Sequence, residues 1–182
     1  MSACDRLVPP RLDVQLRHDL RPSDAEVIRA IVVCTGMFGA AEVEVAMELV
    51  SDKLTRGEDS DYRFVVAELA GRVVGYAAFG PIPCTVSSHD LYWIVVHPEC
   101  QGRGIGRVLL EAAEACIREQ GGTCVYVDTS GRDAYTPTRS FYEKSGYHRA
   151  ATLEDFYAAG DPKVIYAKSV GVSVPDCRTV SE

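Results

Sequence analysis

Positive charge is in short supply in this chain. Its 19 lysines and arginines face 26 aspartates and glutamates, a formal net charge of −7. A nucleic-acid binder needs clustered cations to neutralise phosphates, so that class is disfavoured and a small or cationic partner fits better. Long apolar runs are missing too. No stretch reaches the roughly 20 residues of a bilayer-spanning helix, and no secretory apolar core is present, so neither a membrane partner nor export is expected. Paired cysteine motifs are absent: the seven cysteines at 4, 34, 84, 100, 116, 124 and 177 are odd in number and form no C-x-x-C, which fits a reduced, cytoplasmic setting. His97 and Cys100 stand three apart without a second pair at finger-like spacing, so no metal is predicted. Two nucleotide signatures are also lacking. Gly106 is followed by Arg107-Val108, which offers neither the lysine nor the magnesium-binding hydroxyl of an ATP loop. The glycine spacing Gly-x-Gly-x-Gly is not the Gly-x-Gly-x-x-Gly of a dinucleotide fold. The sequence holds no internal repeat and no low-complexity segment.

What is present suffices for one core: 47% of the 182 residues are hydrophobic, enough for one domain and short for two. Residues 13–20 alternate weakly as a first strand. Ser23 is placed to cap a helix reaching about residue 33, residues 41–54 carry a second amphipathic helix, and Gly36-Met37-Phe38-Gly39 separates the two. Residues 63–69 and 72–79 read as an antiparallel hairpin turning at Ala70-Gly71, its second strand ended by Gly80-Pro81-Ile82-Pro83. Leu91-Tyr92-Trp93-Ile94-Val95-Val96 is an apolar run suited to a central strand, closed by Pro98. Ile105, Val108, Leu109, Ala112, Cys116 and Ile117 recur at three- and four-residue steps until Gly121-Gly122, which predicts a helix over about 104–120. Residues 123–129 form a fifth strand, parallel to the fourth through a right-handed crossover. Thr136 reads as an N-cap with Pro137 at the first helical position, and Gly146 as the C-cap. The last strands are 147–151 and 163–168, joined by a loop carrying Asp155-Phe156-Tyr157 and Gly160-Asp161-Pro162. Loosely ordered ends are expected over 1–11 and 169–182.

The segment from Gln101 to Arg107 joins the apolar strand to the third helix through a turn dense in glycine. Glycines at 102, 104 and 106 remove the Cβ atoms that would block close approach, and the first helical N–H groups lack partners and carry about half a positive charge. A phosphate fits such a cradle. Arg103 and Arg107 beside it suit phosphate charge.

Gln101-Gly102-Arg103-Gly104-Ile105-Gly106 resembles the Q/R-x-x-G-x-G/A pyrophosphate loop of the GNAT acetyltransferase superfamily, which binds coenzyme A. Phe141-Tyr142-Glu143-Lys144-Ser145-Gly146-Tyr147 is similar to that family's second signature, Phe-Tyr-x-x-x-Gly-Phe/Tyr. The order of elements resembles the GNAT fold over residues 12–168. It implies a single domain of α/β (mixed α+β) class, with a central, mostly antiparallel mixed sheet of six to seven strands flanked by about four helices. The resemblance implies an N-acetyltransferase using acetyl-CoA and no metal, acting on a primary amine of a small molecule or peptide. A homodimer, frequent in the family, is one option. It further implies that the backbone of Ile94, Val95 and Val96 meets the cofactor in a splay between the fourth and fifth strands. Gln101, Gly102, Arg103, Gly104, Ile105, Gly106 and Arg107 would grip its phosphates, with Ser140 and position 135 nearby. At 135 the chain departs from the family: Tyr135 replaces an asparagine often found seven residues before the tyrosine.

Acetyl transfer to an amine needs a neutral amine, a stabilised oxyanion and a proton for the leaving thiolate. By resemblance, Tyr142 is the proton donor and Asp90, at the start of the fourth strand, stands where many members carry a catalytic glutamate. Asp128, Glu68 and His97 are other candidate bases. Phe38, Tyr92, Trp93, Phe156 and Tyr157 are candidate walls of an acceptor pocket, and Asp90, Asp155 or Asp161 candidate partners of a cation. A non-catalytic acyl-CoA sensor retaining the cradle is the alternative.

Overall fold

The computed structural model describes residues 13–171. Strand β1 (Val14–Arg17) leads into helices α1 (Asp24–Cys34) and α2 (Ala40–Arg56). Next come β2 (Arg63–Leu69), β3 (Arg72–Pro81), β4 (Ser88–Val96), α3 (Ile105–Glu119), β5 (Cys124–Ser130), α4 (Thr136–Lys144), β6 (His148–Ala158) and β7 (Asp161–Ser169). The strands form one sheet in the order β1-β2-β3-β4-β5-β7-β6. Each neighbouring pair is antiparallel except β4 with β5. That pair joins only at Ser88, His89 and Asp90, opposite Cys124, Val125 and Tyr126. Beyond Asp90 the two strands part, and the gap between them organises the site.

Strand alternation sorts the core into two layers. Val65, Ala67, Ala77 and Leu91 face α3, where Leu109, Ala113 and Ile117 are buried against them. Phe64, Val66, Tyr76 and Ala78 face Ile28, Val32, Ala46 and Val50 of the first two helices. No helix among the described residues is long and apolar enough to cross a membrane.

Three local expectations are corrected. Ser23 stands at the start of α1 without a side-chain bond; the Asp24 carboxylate instead reaches back to the preceding turn, accepting from the Arg21 N–H at 2.8 Å and holding Arg17 at 3.0 Å. Thr136 lies inside α4, with helical φ and ψ of −55° and −43° and Tyr135 in the cap position, and its hydroxyl accepts from Arg139 at 2.9 Å. The helix does end as expected, with the N–H groups of Gly146 and Tyr147 bonded to the carbonyls of Glu143 and Tyr142. The β6–β7 connection is no long loop: Asp155, Phe156 and Tyr157 belong to β6, and Asp161 and Pro162 to β7. Leu153 pairs with Lys163 and Ala158 with Asp161, so residues 154–157 bulge opposite Pro162, which has no N–H for the ladder. The Asp155 carboxylate accepts from the Gly160 N–H at 2.7 Å and closes the bulge.

β3 also runs two residues past its expected end, with Pro81 opposite His89. At the C-terminal side, Ser169 is part of β7 and Val170 is buried, its N–H bonded to the Thr123 carbonyl at 2.9 Å. The expected loose ends otherwise fall outside the described residues.

Candidate active site

The turn after β4 is built as a cradle. A short 3-10 turn over Pro98–Cys100 brings the chain to Gly102 and Gly104, whose φ angles of 70° and 85° lie in the left-handed region. The first intrahelical bond of α3 runs from the Val108 N–H to the Gly104 carbonyl at 3.1 Å. The N–H groups of Ile105, Gly106 and Arg107 come before it and have no helical acceptor. No acidic residue sits in that first turn, so its positive end is unneutralised. The Gln101 side-chain amide donates to the Val96 carbonyl at 3.0 Å and ties the cradle to the strand. At Gly106 α3 passes beside α4, where a Cβ would stand in ordinary contact with the Phe141 ring at 3.6 Å.

These residues line a cavity of about 500 Å³ with Pro137, Thr138 and Phe141 on its far side. Arg107 lines it while its Nε donates to Glu111 at 2.7 Å. Arg103 is exposed outside the lining, and Ser140 is half-buried outside it.

The strand that feeds the cradle also opens the gap. The His97 N–H donates to the Val74 carbonyl at 2.8 Å. In an antiparallel ladder this phase turns the backbone of Val95 toward β3 and that of Ile94 and Val96 away from it, into the splay. Of the three strand residues expected to meet the cofactor through their backbone, two are therefore available and Val95 is committed to the sheet. Ile94, Val96, Gln101 and Thr138 line the large cavity and also a second one of about 180 Å³ on the α1/α2 side. The two cavities are the two mouths of one cleft through the sheet.

Phe38, Tyr92, Trp93, Tyr135 and Tyr142 wall the smaller mouth. The rings of Phe38 and Trp93 meet edge to face at 4.7 Å. Tyr142 is only 4% exposed, packed against Phe141, Tyr147 and Tyr166 at ring distances of 5.3, 5.6 and 6.0 Å. Burial pushes its phenol well above the ordinary value, so it stays protonated and its O–H is available as a hydrogen-bond donor. The Tyr135 hydroxyl donates to the Met37 carbonyl at 3.2 Å. That side chain thus spans from α4 to the α1–α2 turn across the smaller mouth, away from the cradle.

Asp90 lines neither mouth. It opens on an adjoining depression of about 350 Å³ with Tyr126, Asp128 and Lys163. Burial, then the charge of Asp128, raise its carboxyl above the usual range, and Lys163 opposes them. Asp128 is ion-paired with Lys163. The remaining candidates are used elsewhere. Glu68 holds Arg17 at 2.7 Å between β1 and β2. His97 Nδ1 accepts from the Glu99 N–H. Asp161 is buried, bonded to Ser130 and to Arg132. Phe156 and Tyr157 are exposed on β6. Thr35, Met37 and Thr138 complete the lining; they carry no chemical signature, and only tertiary placement brings them there. Among the described residues there is no group of three or more metal-ligating side chains, and Cys34, Cys84, Cys100, Cys116 and Cys124 are free thiols.

Residues 60–149 match the family model for the acetyltransferase (GNAT) domain. A protein of known structure assigned to the GNAT family, from Desulfovibrio desulfuricans, is 43% identical. That match covers 86% of this chain and 99% of the other, with a TM-score of 0.84. An uncharacterized N-acetyltransferase of Methanocaldococcus jannaschii is 31% identical over 58% of this chain, and the match spans 65% of that relative's length. The structure of an aminoglycoside 6′-N-acetyltransferase complexed with coenzyme A superposes with a TM-score of 0.71. It covers 89% of this chain and 99% of that one, at 19% identity, a likeness of fold.

Proposed function

Because the chain belongs to the GNAT acetyltransferase family, we propose that it is an N-acetyltransferase moving an acetyl group from acetyl-CoA to a primary amine of a small molecule or peptide. One observation carries this reading: a single cleft crosses the sheet, with an anion cradle at one mouth, an aromatic chamber lined by Tyr142 at the other, and Ile94, Val96, Gln101 and Thr138 where they meet. The cradle fits the cofactor's phosphates, since Gly102 and Gly104 leave open the space a side chain would fill and the amides of Ile105, Gly106 and Arg107 await an acceptor.

The cofactor supplies the activated acetyl group. The backbone N–H of Val96, turned into the splay, is placed to bond the carbonyl oxygen as it gains charge. Tyr142, held protonated by burial, gives its proton to the departing sulfur. The amine enters through the chamber walled by Phe38, Tyr92 and Trp93. An unperturbed alkylammonium has a pKa of about 10.4, so a base must take its proton; Asp90, in the depression that adjoins Tyr92, does so through a chain of water molecules. Its raised pKa suits a base better than an ordinary aspartate would. Tyr142 in the lining of the aromatic chamber favours turnover over simple binding. We further read residues 12–168 as one catalytic domain, and the free thiols as those of a cytoplasmic protein.

A thiol-release assay tests this, with acetyl-CoA and longer acyl-CoAs offered against amino acids, polyamines, aminoglycosides and peptide N-termini. Release dependent on one amine class is expected. Tight CoA binding with no release for any acceptor would overturn it.

A further inference from the structure

The charge around the cleft is segregated. Arg103 and Arg107 flank the cradle, while the smaller mouth has no charged lining residue at all. On its Tyr92 wall the charges of Asp90 and Asp61 both act, while the Arg132 guanidinium over the Tyr135 ring is already paired with Asp161. We infer that the acceptor is a linear amine carrying a second ammonium group, whose distal charge is received by Asp128 within the field of Asp90 while the reacting nitrogen lies in the aromatic chamber. This rests on the acetyltransferase reading above and names its substrate class.

Shape and chemistry agree. The chamber, about 180 Å³ and walled by Phe38, Tyr92, Trp93 and Tyr135, is small beside the ~300 Å³ and more of a drug-sized pocket. It admits a chain rather than a ring system. Aromatic faces attract an ammonium or its alkyl neck. At its floor Tyr142, more than nine-tenths buried, opens on the chamber and marks where the reacting nitrogen must sit. Asp90 lies two residues before Tyr92 and four before Ile94 on β4, roughly 13 Å of strand from the junction. A second charge can reach the depression only on an extended chain. There, two carboxylates meet a single ammonium, that of Lys163. Lys163 already shows that Asp128 binds an ammonium, and Asp90 makes no ion pair among the described residues.

The test compares kcat/KM for linear diamines of increasing length and spermidine with that for monoamines of matched length, with CoA affinity measured separately by calorimetry. The expected diamine-to-monoamine ratio exceeds ten. Asp128→Asn should cut the ratio at least tenfold, and Lys163→Met should raise it by freeing Asp128. Opposite responses to these two substitutions are the signature of a charge site, which a merely structural role for the pair would not produce. A ratio near one with thiol release intact overturns the inference and leaves the acetyltransferase reading standing. CoA binding without release for any amine overturns that reading, and the inference with it.

Discussion

At the scale of single residues, the proposed proton donor is the sharpest point. Tyr142 lines the smaller mouth while Phe141, its neighbour in α4, lines the larger one, and the Tyr142 ring is wedged among Tyr147 and Tyr166. Tyr142→Phe is expected to lower kcat by a factor on the order of ten to a thousand while leaving acetyl-CoA affinity in place. Unchanged steady-state turnover at saturating acceptor would remove the residue from the mechanism. Asp90 gives a pH test. Its carboxyl is raised by burial and Asp128, so the acidic limb of kcat/KM should lie above the ordinary aspartate range and move in Asp90→Asn. The same shift sets a stability trend. Between the unfolded and the raised native value the folded chain binds more protons, so this group's contribution falls as pH rises through that window. Asp90→Asn should therefore melt higher than the parent at neutral pH, with the difference closing below the usual carboxylate range. Tyr142 and the cradle glycines were legible because each belongs to a motif. The position of Asp90 in its own depression was not, since it depends on where β4 and β5 stop pairing, which no local residue announces.

At the scale of elements, the strand–turn–helix unit holds the account together, and it was the most legible part of the chain. An apolar run, a proline, alternate glycines and a helical period specify it locally, and α3 begins at Ile105 as the pattern predicts. Gly104 carries the geometry: its φ of 85° is strained for any side chain, and a Cβ there would enter open cavity space. Gly104→Ala costs about 1 kcal/mol or more in backbone strain. It should weaken CoA binding about tenfold by calorimetry while the far-ultraviolet circular dichroism stays that of the parent; an unchanged affinity would mean that the loop amides do not grip the phosphates. The β6–β7 pair was the least legible. Gly160 and Pro162 read as loop residues, yet Asp155 closes a bulge that lets Phe156 and Tyr157 remain in a strand. A long-range pairing there outweighed the local turn signals. The bond from Tyr135 to Met37 likewise joins segments 98 residues apart, which no spacing rule foresees.

At the scale of the whole molecule, the two core layers share one sheet and the cleft passes through it, so a ligand seated there should stabilise the fold as a unit. At a hundredfold excess over Kd, CoA contributes about 2.7 kcal/mol, which for a chain of this size raises Tm by roughly 5 to 10 °C. A calorimetric melt with and without CoA checks this, and the shift should shrink in Gly104→Ala. The carboxylates of Asp90 and Asp128 at the proposed acceptor site further imply that added salt should weaken a diamine acceptor more than a monoamine. The most direct measurement is isothermal titration of the intact protein with CoA. The account predicts saturable heat with one site per chain, reduced in Gly104→Ala. An absence of heat at millimolar CoA would contradict the cradle, and with it the assignment of the cleft.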